Sequence, residues 1–223
     1  MTRLTKILIA STALAILPLS LAYADGSTDP AITGDGTSNI LNGQVDFHIA
    51  QSNVNMNTTN ATGNVTGQST AGGNAVDITT MNDTNVTNNQ YVSSVNIGSS
   101  LNANVQNTGG TVSLQSQAIC NSASVSMDPT STNVYSNQEC QAVDPSASLN
   151  ANVSNIGNDV SLSSAAIGNS FEEDTNAPHG AVQNYQVNES SVYSTANANT
   201  TNVTGNVSVS SAAIGNTAQI VHY

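Results

Sequence analysis

Between Leu149 and Ser164 apolar or small residues alternate with polar ones. Leu149, Ala151 and Val153 are separated by Asn150 and Asn152, and Val160, Leu162 and Ser164 by Ser161 and Ser163. A period of two marks a strand with one buried face, because successive side chains leave opposite sides of the pleat. Asn155-Ile156-Gly157-Asn158 lies between the two runs and supplies residues that tolerate positive φ, so the segment predicts strand, turn, strand. Thr62–Asn64 and Thr204–Asn206, both Thr-Gly-Asn, predict the same corner elsewhere. No stretch beyond residue 24 sustains apolar residues at helical spacing.

The alternation is itself repeated. SSAAIGNS at 163–170 returns as SSAAIGNT at 210–217, and its asparagine belongs to a series Asn74, Asn121, Asn169 and Asn216, spaced by 47, 48 and 47 residues. A second series, Gln44, Gln90, Gln138 and Gln186, is spaced by 46, 48 and 48. Upstream of each asparagine one phrase is rewritten: NVNMNTTNATGNVTGQS, LNANVQNTGGTVSLQS, LNANVSNIGNDVSLSS, ANANTTNVTGNVSVSS. A fixed period of this length is the signature of stacked supersecondary units.

The alternating inward residues are Ala, Val, Leu and Ser, which fit the thin interior of a solenoid with walls about 10 Å apart. The expected fold is therefore all-β, a β-solenoid of about four 47-residue repeats over residues 40–223. A half-repeat of roughly 23 residues would form one coil of two strands, giving two coils per repeat. Stacking places Asn74, Asn121, Asn169 and Asn216 in one ladder and Gln44, Gln90, Gln138 and Gln186 in another, each amide bonding to the next. In this reading SSAAIGNS is one rung, with small residues for close packing, Gly for a bend and Asn for the ladder.

Departures from the repeat carry information as well. Cys120 stands where Gly168 and Gly215 stand, and Cys140 lies two residues past Gln138. In an exported chain the pair predicts a disulfide closing a loop of about 20 residues, joining the two coils of one repeat. Two unpaired thiols are the alternative. Phe171–His179, with Glu172, Glu173, Asp174 and Pro178, breaks the pattern and reads as a solvated excursion loop, while Asp128-Pro129 and Asp144-Pro145 read as turns.

Composition changes the picture at both ends. Arg3 and Lys6 precede an apolar stretch, Ile7–Leu21, which Pro18 interrupts, and Ala22-Tyr23-Ala24 follows as a small–x–small site. Residues 1–24 therefore read as a secretory signal peptide, and 25–39 as a loose lead-in rich in Gly, Asp and Thr. Those two cations are the only Lys or Arg in the sequence, against 14 acidic residues. Beyond residue 24 the chain is a polyanion with no cationic side chain but histidine, which argues against nucleic acid and anionic membranes as partners. The same lack excludes a Ser–Lys nucleophile and weakens any polysaccharide-lyase reading, and no enzyme is expected. His48, His179 and His222 fall in separate contexts, so no convergent catalytic or metal site is predicted and no cofactor is expected.

The ladder motifs in an exported, acidic, lysine-free chain resemble the curlin-type and holdfast-anchoring surface proteins of bacteria, over Gln44 to Asn216. Gln68…Gly72-Gly73-Asn74-Ala75 echoes the curlin pattern, and the Ala-Ile-Gly-Asn-Ser/Thr phrase is closer to the holdfast anchors. The resemblance implies secretion through an outer-membrane pore and assembly at the cell surface. The expected function is structural: a secreted, cell-surface fibre, biofilm-matrix or adhesive-anchor protein that stacks axially on itself or on other surface proteins. The alternative is a monomeric solenoid binding extracellular polysaccharide through an Asn- and Thr-lined face, with Tyr91, Tyr135, Tyr185 and Tyr193 as candidate stacking platforms.

Overall fold

The computed structural model describes residues 38–80, 84–93, 96–127, 133–141, 144–175 and 181–222. The expected signal peptide, all of the lead-in before Ser38, Asp128-Pro129 and His179 lie outside the described residues. Twelve strands follow in order: β1 (Ser38–Asp46), β2 (Ala50–Thr59), β3 (Val65–Thr80), β4 (Thr84–Val92), β5 (Ile97–Thr108), β6 (Val112–Met127), β7 (Asn133–Cys140), β8 (Ser146–Ile156), β9 (Val160–Thr175), β10 (Val182–Asn188), β11 (Tyr193–Val203) and β12 (Val207–His222). The described residues contain no helix, and 84% of them are strand.

The strands form three parallel four-stranded sheets, ordered β1-β4-β7-β10, β2-β5-β8-β11 and β3-β6-β9-β12. Each strand pairs with the one three places on in sequence, in the register of the repeat: Gln44 with Gln90, Leu101 with Leu149, Asn169 with Asn216. One repeat is thus one turn of three strands, and the expected two coils of two strands do not form. The two amide series do not divide the repeat evenly: each glutamine is much nearer the preceding asparagine than the following one, so the two halves of a repeat are not equivalent. Identical side chains stack only when pairing is offset by the whole repeat.

The strands of the third sheet are 16 residues long because each is two strands in one. In β9 the buried positions Val160, Leu162, Ser164, Ala166 and Gly168 keep one phase, and Asn169, Phe171, Glu173 and Thr175 take the other. The phase slips by one residue at Gly168-Asn169, as it does at Gly73-Asn74 in β3. The first half packs on the second sheet, in a cluster with Leu101, Val105, Leu114, Leu149, Ile156 and Leu162. The second half packs on the first sheet, with Ile78, Val86, Val125, Val134 and Phe171. Between them, where the interior is narrowest, the column is Ala71, Ala118 and Ala166, packed with Val92, Ile97 and the cysteines.

This bend corrects the reading of the acidic segment. Phe171 to Thr175 continues β9, with Phe171 and Glu173 fully buried and Asp174 facing out. The alternation runs on through the charges, which mark only its outward positions and one buried carboxyl. The β2–β3 corner and its three equivalents are built on asparagines with positive φ: Asn60 (58°), Asn107 (54°), Asn155 (56°) and Asn202 (53°). Asn is among the few side chains that adopt this conformation readily, so the corner rests on it whether Gly or Thr-Gly follows.

Candidate functional site

The Gln series lies inside the turn, on the inward face of the first sheet. Gln90 Nε2 donates to Gln44 Oε1, Gln138 Nε2 to Gln90 Oε1 and Gln186 Nε2 to Gln138 Oε1, each at 2.8 Å. The second N–H of each amide crosses the interior to a backbone carbonyl of the third sheet: Ala75 (2.9 Å), Ser122 (2.9 Å), Ser170 (2.8 Å) and Thr217 (3.0 Å) in turn. Gln90 and Gln138 are buried, and the four bonds stitch the first sheet to the third at every level.

The Asn series sits at the bend and runs the other way. Asn74 Nδ2 donates to Asn121 Oδ1 (3.1 Å), Asn121 to Asn169 (2.8 Å) and Asn169 to Asn216 (2.9 Å). Each also donates across to the first sheet's backbone, Asn121 to Glu139 O at 2.9 Å and Asn169 to Val187 O at 2.7 Å. The kinked backbone at the bend faces a narrow interior. An amide can satisfy one polar group above, one below and one across, which explains why each repeat carries Asn there. Every such bond replaces one to water, so the net gain per bond is small, but leaving a buried partner unmet costs about 1–3 kcal/mol.

The cysteines lie on the same level as this ladder. Cys120 and Cys140 are bonded, with Cα atoms 6.1 Å apart, and no free cysteine occurs among the described residues. They link the bend in the middle of β6 to the end of β7, so the bridge ties one turn to the next instead of two coils within one repeat. The turns on either side solve the same steric problem differently. A Cβ on Gly73 would lie 2.9 Å from Val92 Cγ2, and one on Gly168 would lie 2.8 Å from Asn188 Cγ. Val92, Cys140 and Asn188 are register partners. The gap at each level therefore holds one larger side chain against glycine, or one disulfide.

Several amide columns escaped the sequence reading. Asn42, Asn88, Ser136 and Asn184 form a third interior column, with Asn42 donating to Asn88 (2.7 Å) and Asn88 to Ser136 (3.1 Å). Serines zigzag between the second and third sheets, where Ser99 Oγ bonds Ser69 Oγ (2.9 Å) and Ser116 Oγ (2.8 Å). Outside, Asn55, Asn102, Asn150 and Asn197 are linked in sequence at 3.1, 3.0 and 2.9 Å, and Asn57, Asn104, Asn152 and Asn199 form a parallel column. The N-x-N spelling of each repeat held that signal, since residues two apart share a face.

No chemistry-bearing cluster accompanies these columns. Among the described residues no group of three His, Cys, Asp or Glu side chains could hold a metal. His48 is exposed beside Asp46, with Nδ1 3.5 Å from the carboxylate. Tyr135 and Tyr185 are exposed on the first sheet in different columns, while Tyr193 is exposed on the second. Tyr91, near the end of β4, donates to Gln141 Oε1 (3.0 Å) and meets Phe47 edge-on at 6.1 Å between ring centroids. The tyrosines are not gathered into one platform. The arrangement suits stacking and surface contact.

The family model described as Holdfast attachment protein D matches residues 35–222. No curated protein and no solved structure gives a match.

Proposed function

The chain belongs to the family of holdfast attachment protein D, and from that premise we propose that it is a secreted structural protein of the bacterial cell surface, assembling by axial stacking of its turns into a fibre or adhesive anchor. Association with the cell surface follows from the family; the fibre and its export through an outer-membrane pore are our reading. The observation that supports it is the pair of interior amide ladders, which pass through all four levels and end in amides with no further level among the described residues. A parallel sheet whose last strand has unpaired N–H and C=O groups is a template for another strand. Among the described residues there is no capping element across it.

Electron microscopy of purified chain lacking residues 1–24 should show fibres one solenoid wide, and a strain lacking the protein should lose surface attachment. Discrete monomers at high concentration would remove the fibre reading. Like charges oppose association, so fibre growth should quicken as salt screens them.

A second reading, a surface for neutral polysaccharide, draws on the outer face of the second sheet. There the two Asn columns form an uncharged array, with a shallow depression lined by Asn104, Gln106, Asn152, Ser154, Asn199 and Thr201. Glycan binding by monomer that Asn150→Ala and Asn152→Ala together abolish would favour it; binding unaffected by that pair would end it.

A further inference from the structure

Resting on the axial-stacking reading, we infer that the stack is polar and in register: the last turn of one copy receives the first turn of the next, β10 against β1, β11 against β2 and β12 against β3. The occupant of the open C-terminal end is thus a second copy of this chain in the same orientation.

Three observations carry this. The first is the opposite polarity of the two interior ladders. The Gln ladder runs out at Gln186 Oε1, an acceptor, and begins at the Gln44 amide, a donor. The Asn ladder runs out at the Asn216 amide and begins at Asn74 Oδ1. Set head to tail, Gln44 of the incoming copy donates to Gln186, and Asn216 donates to Asn74, so both ladders continue unbroken. Set end to end about a two-fold axis, donor faces donor and acceptor faces acceptor in each ladder, and the strands meet antiparallel.

Secondly, the columns match in kind across the junction. Continuing the register brings Ile40 to Val182, Asn42 to Asn184, Val54 to Ala196 and Val65 to Val207, each pair already sharing a column within the chain. A slip of one residue would turn every inward side chain outward.

Thirdly, the last turn is open where a core should be. Val207, Val209 and Ile220 are nearly half exposed, although they occupy the columns of the buried Val160, Leu162 and Glu173. A further level stacked on this turn would bury them.

The free edges can be blocked one at a time. Ala50 N–H donates to Asn96 O, so in the alternation of a parallel ladder the N–H of Asn53 points to the free edge. Val160 N–H donates to Asn206 O, so the N–H of Val209 points to the opposite free edge. Asn53→Pro and Val209→Pro each remove a donor unused by the fold, at the edge positions where proline is tolerated. Each variant alone should sediment as a monomer, and a 1:1 mixture should form a dimer and stop. A homodimer of either variant alone would overturn the polar junction, as would a mixture that stays monomeric while the parent chain assembles. A parent chain that forms nothing larger than a monomer would instead sink the fibre reading and the junction with it.

Should either proline variant lose its circular dichroism spectrum, the exposed Asn column gives a second route. Asn55→Cys and Asn197→Cys are in-register positions of the first and last turns. A short bismaleimide should join the two variants when mixed and neither alone. Cross-linking within the Asn55→Cys preparation alone would overturn the proposal.

Discussion

Val160 and Val207 are the same residue in the same column of the same sheet, yet Val160 is 1% exposed and Val207 44%. Leu162 and Val209 repeat the contrast, at 1% and 46%. Their local sequences, VSLSSAAIGN and VSVSSAAIGN, differ at one position. Burial in this molecule is therefore a property of level, conferred by the turn above, and the inner turns have two neighbours where the last has one. In a quasi-one-dimensional fold, stability is a sum of unit and nearest-neighbour terms, so equal substitutions should have unequal costs along the axis.

The sharpest test of that contrast uses apolar truncation. Leu162→Ala removes a fully buried side chain flanked by Leu114 and Val209, and should cost about 2–5 kcal/mol in urea unfolding. Val209→Ala, one level out, should cost less, about 1 kcal/mol, since nearly half of the residue is never taken from water. Equal costs would mean that the last turn is covered in solution.

Removing the bridge between turns comes next. Cys120→Ser with Cys140→Ser frees a separation of 20 residues, which the chain-entropy account values at about 3 kcal/mol. The parent chain should resist alkylation until reduced, and full thiol labelling of native, unreduced protein would contradict the bridge.

The ladder gives the third comparison. Asn169 is buried and bonded to Asn121, Asn216 and Val187 O, whereas Asn216 is exposed and has a single ladder neighbour. Asn169→Ala should cost about 1–3 kcal/mol, Asn216→Ala distinctly less. In assembled fibres that gap should narrow as Asn216 acquires its second neighbour. Similar small effects at both sites would reduce the repeated Asn to a turn residue. The smallest effect belongs to the outer face, where Asn150→Ala breaks bonds already open to solvent and should move the midpoint by no more than about 0.5 kcal/mol.

Much of this was legible in the residues. The period of two at Leu149–Val153 and Val160–Ser164 assigned inward and outward faces correctly, because side-chain alternation is a local property of an extended backbone. The Gln44–Gln186 and Asn74–Asn216 columns were legible because in-register stacking demands chemical identity at a fixed interval. The disulfide was readable from two cysteines in a repeat that otherwise has none. The holdfast resemblance rested on the Ala-Ile-Gly-Asn-Ser/Thr phrase, and the family match extends it to 35–222.

Other features were not legible, for physical reasons that can be named. The number of strands per turn depends on which repeat pairs with which, a long-range choice that alternation does not record. The phase slip at Gly168-Asn169 is silent in the apolar pattern, since neither residue is apolar, and without it Glu173 reads as solvent-facing. The outer Asn columns and the interior Asn42–Asn184 column look alike in composition, and only the packing of three sheets decides which amides are dry. The sequence by itself determined the β period, the repeat and the identity of each column. The tertiary structure alone decided how many faces the turn has, which columns lie inside it, and that the last turn is left open, because those depend on what each strand meets across the core and along the axis.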